Sequence, residues 1–167
     1  MLTIVTSKLR VSSAALGLGS SVFKSMFSRR FREGHELAAS SSIEVPLPDD
    51  EFKAMEILCN VLHHRNNLVP AAAALTAAEL LRIAEISDKY DCAVSLRPTV
   101  KGWLVVSEKR PEIEDRRNMI SAAYLFNDER AFEDYGRCMV LQTAGPIWDP
   151  VTCEDAAPFR KLFGECN

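Results

Sequence analysis

The sequence predicts an α+β fold in which a few short strands accompany a larger number of helices. Two observations predict it. Short apolar stretches with strand character occur at residues 1–11 and 43–47, and most of the remaining chain repeats apolar residues at helical spacing. A chain of 167 residues suffices for one domain and a short extension. We expect a first domain over residues 1–106, a helical extension over residues 107–143 and a loosely held tail over residues 144–167.

The strands are expected near the beginning of the chain and before Pro48. Residues 1–11 contain two short strands, one on each side of a polar turn at residues 6–8. Residues 43–47 form the third, and Pro46 places it at the edge of the sheet or near its own end, because proline lacks an amide donor. The sheet therefore has about three strands.

Polar caps mark the first helices. Ser12 and Ser13 can accept the unpaired amide hydrogens at the start of a helix that Gly19 can end. A second helix is predicted over residues 20–28. Residues 33–42 combine a Gly-His-Glu stretch with three consecutive serines, so we predict a surface loop there.

A longer helix is predicted after Pro48. Asp49 is a good N-terminal cap, and an apolar stripe follows at helical spacing. The stripe consists of Phe52, Met55, Cys59 and Leu62. The basic residues 63–65 suit the last turn, and the two asparagines at residues 66–67 end the helix.

A capping box gives the best-defined helix start. Thr76 and Glu79 stand three residues apart before an apolar run, so a hydroxyl and a carboxylate can each satisfy a backbone donor of the first turn. A further helix is predicted over residues 93–106. Pro98 removes an amide donor within it, so we expect this helix to kink or divide.

Two more helices are predicted after residue 111, and they form a hairpin. Apolar residues recur at helical spacing on each side of Asn127 and Asp128, and Asp128 can cap the second helix. After the Gly145-Pro146 and Asp149-Pro150 steps, only a short helix at residues 155–163 is predicted.

Cysteine usage and charge limit the class of protein. The five cysteines are widely spaced and never form a C-x-x-C pair, which favours free thiols and a cytoplasmic or nuclear location. No apolar run approaches the roughly 18 residues that span a bilayer, so we expect no membrane partner. Residues 1–32 hold six basic and no acidic side chains. A mitochondrial transit peptide would explain this, but Phe23 and Phe27 favour a folded segment with exposed cations.

Motifs of the common enzyme classes are missing from the sequence. Gly17-Leu18-Gly19 begins like a dinucleotide fingerprint, but Val22 occupies the position of its third glycine. There is no phosphate-binding loop, no G-x-S-x-G elbow, no H-E-x-x-H and no paired-cysteine zinc spacing. We therefore expect no catalytic residue and no cofactor.

Three weaker signals have alternative interpretations. Cys59 and His63 have the spacing of two zinc ligands on one helix, but no second ligand pair is evident, so a core cysteine is favoured. Cys92 would be a reactive or redox-sensing thiol if its setting lowered its pKa. Lys24 and the three arginines of residues 29–32 form a basic patch, but a pI near 5.7 favours a solvated surface over nucleic-acid binding.

Several motifs resemble the BTB/POZ family, in the family's order, over residues 9–97. Ser20-Ser21-Val22-Phe23-Lys24-Ser25-Met26-Phe27 is similar to the end of the family's opening helix pair, and Ala84 to Cys92 match its next helix with a D-K-Y-x-C signature. The segments at residues 9–16, 31–34, 43–50 and 57–70 are also similar, the last three resembling the fungal branch of the family.

The resemblance implies an α+β fold in which a small sheet packs on a cluster of helices, followed by a helical hairpin extension. It also implies a protein-interaction module without catalysis, acting by self-association as a homodimer or as a heteromeric scaffold. A substrate adaptor of a cullin-type ubiquitin ligase is the alternative. Such adaptors often carry a hydrophobic-x-acidic motif, which here reads Phe52-Lys53-Ala54.

Two candidate surfaces follow from the resemblance. The candidate self-association surface consists of Leu2, Ile4, Leu9, Val11, Leu16 and Leu18. The candidate partner-binding surface consists of Phe52, Met55, His63, His64 and Arg65. The partner is expected to be a protein of unknown identity.

Overall fold

Eight α-helices account for most of the chain that the structure describes. A computed structural model describes residues 7–105 and 112–142, with side chains up to residue 139. The helices are α1 (Ser13–Gly19), α2 (Ser21–Met26), α3 (Arg32–Ala39), α4 (Phe52–Leu62), α5 (Ala77–Lys89), α6 (Ala93–Trp103), α7 (Ile113–Leu125) and α8 (Glu129–Gln142). Two single 3₁₀ turns, Asn66–Leu68 and Ala72–Ala74, separate α4 from α5.

The predicted α+β fold is wrong, because no strand occurs within residues 7–105 and 112–142. Ile43, Val45 and Leu47 are half-buried and alternate with exposed residues, as a strand would require. However, this segment forms no backbone ladder with the described chain. The Lys8 ammonium lies 2.6 Å from the Glu44 carboxylate, so residues 7–12 pass nearby, but the contact joins side chains only. Alternation shows which side chains face the core and does not supply the partner strand that a sheet needs.

The predicted Ser12 cap of α1 is confirmed, and Ser20, which was predicted as the first residue of the second helix, caps α2. The Ser12 hydroxyl accepts a hydrogen bond from the amide of Ala15, and the Ser20 hydroxyl accepts one from the amide of Phe23. The Ser20 hydroxyl also donates to the Tyr90 carbonyl at 2.5 Å and is almost fully buried. One side chain therefore caps α2 and attaches it to the end of α5.

The predicted loop at residues 33–42 is wrong in its first part, which forms α3. Glu33 lies in the first turn, where the helix dipole favours an anion, and Arg32 pairs with Glu36 at 3.5 Å one turn later. Gly34 is buried against the turn after α2, where a Cβ atom would overlap the carbonyl oxygen of Ser28. The glycine that suggested a loop is present because the backbone passes this close.

The long helix α4 differs from prediction at both ends. Glu51, and not Asp49, caps it, since the Glu51 carboxylate accepts hydrogen bonds from the amides of Lys53 and Ala54. The helix ends at Leu62, before the basic residues that were expected in its last turn.

Three helices end in the same way, with a non-glycine residue at positive φ. His64 follows α4 with φ of 55°, Asp91 follows α5 with 52° and Asn127 follows α7 with 56°. After each, the next amide bonds back over six residues, as from Arg65 to the Asn60 carbonyl at 2.9 Å. This is the Schellman arrangement, which satisfies carbonyls that a helix end leaves unpaired.

The remaining helices follow the sequence more closely. The capping box between Thr76 and Glu79 is confirmed at the start of α5. α6 is a continuous helix across Pro98, so the expected division does not occur. The hairpin of α7 and α8 is confirmed, and the Asp128 carboxylate accepts a hydrogen bond from the amide of Ala131 at 3.0 Å. The predicted helix at residues 155–163 lies outside the described residues.

The core is one buried cluster with contributions from α1, α2 and α4 to α8. α5 and α7 pack closely, and both contribute small buried residues to the core. These buried small residues are Ala84, Ser87, Ser121, Ala122 and Ala123. Trp103 closes the far side of α6, and its indole nitrogen donates to the Pro70 carbonyl at 2.9 Å.

Candidate interaction surface

The predicted self-association surface is divided between core and solvent. Leu16 is buried and packs in the core, and Leu9 is half-buried against it. Val11 is 40% exposed, and Leu18 is 90% exposed. Leu2 and Ile4 lie outside the described residues. Leu18 and Val11 are therefore exposed to solvent, whereas Leu16 holds α1 against the core.

Leu18 stands on the rim of an open groove between α1, the end of α4 and α6. The groove has a volume of about 590 Å³, and its apolar lining includes Ala15, Leu62 and Pro98. α1 and α6 are joined beside it, because the Ser95 hydroxyl donates to the Gly19 carbonyl at 2.9 Å. We call this groove, with the Leu18 side chain on its rim, the Leu18 groove.

Gly19 allows this close approach of helices. A Cβ atom at Gly19 would overlap the side chain of Leu62 and would lie 3.3 Å from the Ser95 hydroxyl. A larger residue would push α1 away from α4 and α6 and change the shape of the groove. The sequence predicted Gly19 only as the end of a helix.

Val94 adds a second exposed apolar side chain next to this groove. It is 75% exposed, and together with Leu18 it is one of the two most exposed large apolar residues in the described chain. Val94 precedes Ser95 and Leu18 precedes Gly19, so the two flank the hydrogen bond between α6 and α1. Sequence reasoning missed Val94, although it is out of phase with the buried stripe of α6, which consists of Leu96, Val100 and Trp103.

His63 lines the groove and joins the start of α1 to the end of α4. The Ser12 amide donates to its Nε2 atom at 2.8 Å, and its Nδ1 atom lies 2.7 Å from the Cys59 carbonyl oxygen. Because Nε2 accepts a hydrogen bond, the proton of the neutral ring lies on Nδ1, which donates to the carbonyl. Both ring nitrogens are occupied within the chain, so the spacing of Cys59 and His63 reflects a helix end and not a metal pair.

The predicted partner-binding residues do not form one surface. Phe52 begins α4 and is 40% exposed, whereas His63, His64 and Arg65 follow its other end. Ten helical residues lie between Phe52 and His63, which places the two groups roughly 16 Å apart along the axis. Met55 is buried in the core. Of this set, His63 and His64 belong to the Leu18 groove.

A second cleft lies between the start of α4 and α5, and its charges are paired within the chain. The Asp50 side chain is only 4% exposed, and it accepts hydrogen bonds from the Lys89 ammonium at 2.6 Å and the Tyr90 hydroxyl at 2.5 Å. Burial, followed by the hydrogen bond to Asp50, raises the pKa of Tyr90. Lys53 also pairs with Glu79 across the two helices. These contacts hold α4 against α5.

The cysteines that sequence analysis singled out are buried thiols. Cys92 is fully buried, and its burial raises its pKa to about 11. Burial likewise raises the pKa of Cys59 to about 11. A reactive cysteine needs the opposite combination, an exposed sulfur with a lowered pKa. The geometry at Cys92 therefore does not support thiol chemistry.

Three further observations concern metal ligands, membrane-spanning helices and the basic patch. Among residues 7–105 and 112–142, no three His, Cys, Asp or Glu side chains cluster as metal ligands would. In the same ranges, none of the helices combines the length and hydropathy that crossing a bilayer requires. In the basic patch, Arg32 pairs with Glu33 and Glu36, while Phe31 is half-exposed.

The comparisons with known proteins return one match. The family model described as BTB/POZ domain matches residues 1–95, which is more than half of the chain. Comparison with curated proteins gives no significant match, and neither does comparison with solved structures.

Proposed function

This chain belongs to the BTB/POZ domain family of protein–protein interaction modules, and we propose that it acts by binding a second copy of itself through the Leu18 side of the molecule. The observation that carries the proposal is the exposure of Leu18, which leaves 90% of a large apolar side chain in water. Exposed apolar side chains beside a groove are typical of protein interaction sites.

The surroundings of Leu18 support this proposal. Val11, just before α1, and Val94, at the start of α6, are further exposed apolar side chains. Ser12, whose amide bonds to His63, and Gly19, whose carbonyl accepts from Ser95, fix both ends of α1 on the core. A rigid support lowers the entropy that ordering a binding surface costs. The surface therefore needs little further ordering when a partner binds.

The proposal extends to the setting of the protein. BTB/POZ domains are generally non-catalytic, and we propose that this chain is a scaffold without catalysis, of the fungal type that its motifs resemble. Its three described cysteines are free thiols, which supports a reducing compartment, the cytoplasm or the nucleus. We also propose that the chain consists of a first domain over residues 1–106, a helical extension over residues 107–143 and a tail over residues 144–167.

Molar mass in solution tests self-association. Size exclusion with light scattering from roughly 1 to 100 µM should show mass rising toward that of a dimer, because mass action reveals weak association only when concentration varies. Leu18→Lys should keep the chain monomeric over the same range. Lysine suits the last turn of α1, where the helix dipole favours a cation, so this variant should fold. A wild-type chain that stays monomeric at every concentration would overturn the proposal.

The cullin-adaptor alternative depends on the surface at the start of α4. Phe52 is exposed there, but Ala54 is buried and carries no carboxylate. An adaptor would retain a cullin in a pull-down under gentle lysis and lose it in Phe52→Glu. A cullin that is retained by the wild type and lost in Phe52→Glu would favour the adaptor function over self-association.

A further inference from the structure

The Leu18 groove is self-complementary, because its projecting residue and its concave part lie on one surface. Leu18 projects from the rim, and the apolar lining beside it is open to solvent. When two copies meet about a two-fold axis, the same patch of each faces the other. A projection and a recess within that patch can then be exchanged in both directions.

The described lining of the groove holds two histidines, His63 and His64, and no carboxylate, ammonium or guanidinium group, although the chain carries a net charge of -3. Both ring nitrogens of His63 make hydrogen bonds within the chain. Two copies with the same net charge repel each other least where their contact surfaces carry none. The charge distribution therefore favours a second copy as the occupant over a strongly acidic or basic peptide.

We propose that in the self-associated form Leu18 of each copy inserts into the Leu18 groove of the other, with Val94 packing at the edge of the contact. This inference rests on the proposed function and specifies its contact. The groove volume of about 590 Å³ leaves room for a leucine side chain and the helix end that carries it. The Ser95 and Thr99 side chains on the α6 wall provide a polar rim.

Two variants separate the projecting side chain from the recess. Leu18→Lys removes the apolar projection but leaves the groove open, and Thr99→Trp fills the groove from α6 but keeps Leu18. Each should weaken self-association at least about tenfold in dissociation constant. Ile113→Lys changes a half-exposed apolar residue on α7 outside the groove and should leave association unchanged. Circular dichroism checks each fold, and Thr99→Phe replaces Thr99→Trp if tryptophan disturbs α6.

Mixing the two variants tests reciprocal insertion. A mixed dimer of Leu18→Lys and Thr99→Trp contains one intact pair, since the Leu18 of one copy meets the open groove of the other. The mixture should therefore associate more tightly than either variant alone, as measured by light scattering at equal total concentration. If both variants associate as the wild type does, or if mixing restores nothing, reciprocal insertion is overturned while self-association stands. A wild type that never associates would instead remove the proposed function itself.

Discussion

The amide of Ser12 donates a hydrogen bond to Nε2 of His63 across 51 residues of sequence, at a distance of 2.8 Å. This bond fixes the first residue before α1 to the first residue after α4. It determines where α1 begins on the core and therefore how Leu18 is presented. The consequence is that the imidazole of His63, remote in sequence from Leu18, supports the proposed interaction surface.

His63→Ala should lower the free energy of unfolding by about 1 kcal/mol, because the Ser12 amide and the Cys59 carbonyl each lose a partner. Urea denaturation followed by circular dichroism measures the change. His35→Ala is the matched control, since His35 is exposed on α3 and should shift stability by no more than about 0.5 kcal/mol. Equal effects of the two variants would show that the Ser12 bond contributes nothing.

Tyr90→Phe should destabilise the chain by about 2 kcal/mol, because it leaves the buried Asp50 carboxylate with only Lys89 as a side-chain donor. The raised pKa of Tyr90 predicts a pH dependence as well. The folded state holds this proton more tightly than the unfolded state, so the contribution is complete below about pH 10 and is lost as the pH rises above it. Denaturation at pH 8 and pH 10.5 should show a larger loss in the wild type than in Tyr90→Phe. The variant keeps the loss expected from the buried Cys59 and Cys92 thiols, whose pKa values are also raised.

Tyr124→Phe provides the control for this experiment. Tyr124 is 37% exposed on α7, so removing its hydroxyl should change stability little at either pH. A loss of stability between the two pH values that is equally large in the wild type and in Tyr90→Phe would contradict the role given to Tyr90.

Glu79 should contribute stability that disappears in acid. Its hydrogen bond with Lys53, aided by those with Thr76, lowers its pKa to about 2. The contribution is therefore present above the pKa of the unfolded chain, about 4.3, and is lost as the pH falls toward 2. The stability difference between the wild type and Glu79→Gln should shrink steadily from pH 5 to pH 2.

Glu56→Gln, an exposed change on α4, corrects for the general effect of acid on the fold. A Glu79→Gln difference that is the same at pH 5 and pH 2 would be inconsistent with the contact to Lys53. Thr76→Ala, which removes the other half of the capping box, should cost about 1 kcal/mol at neutral pH.

Cys92 should react slowly with alkylating reagents in the folded chain. A pKa near 11 instead of 9 reduces the thiolate fraction at neutral pH about a hundredfold, and burial slows the reaction further. Iodoacetamide labelling with peptide mass spectrometry should find Cys92 protected relative to the half-exposed Cys138, and labelled readily in urea. Fast labelling of native Cys92 would revive the thiol-dependent alternative.

His64→Gly should stabilise the chain by about 0.5–1 kcal/mol, because glycine adopts the φ of 55° at this helix end without the penalty of a Cβ atom. His64→Ala keeps the Cβ atom and should bring no gain. Thermal denaturation of the two variants side by side measures the difference. A stabilising alanine would mean that the histidine ring, and not the backbone, carries the cost.

Local signals in the sequence predicted the helices well. Ser12, Thr76 and Asp128 cap the helices they were expected to cap, because capping depends on residues within one turn. The sheet was predicted from short apolar stretches at residues 1–11 and 43–47. This prediction was wrong because strand pairing depends on a distant segment. The helix α3 was missed because Gly34 is required by its contact with the Ser28 carbonyl, which sequence spacing does not reveal.

The candidate surface was predictable only in part. Leu18 belonged to the predicted self-association residues, but nothing in the spacing distinguished it from Leu16, which the fold buries. The α6 wall of the groove was not predicted, because residues 94–99 meet α1 only through tertiary contacts such as that of Ser95 with Gly19.

The close packing of α5 against α7 limits which substitutions the core can accept. Ala84 on α5 and Ala123 on α7 are fully buried. A larger side chain at either position would overpack the core and reduce the population of folded chains. Leu18 and Val94 are exposed and do not pack in the core, so changes there should leave expression and melting temperature intact. A saturation library can be sorted separately for abundance and for association. Positions that are intolerant for abundance should include the buried residues of α5 and α7, and positions that are intolerant only for association should lie around the Leu18 groove.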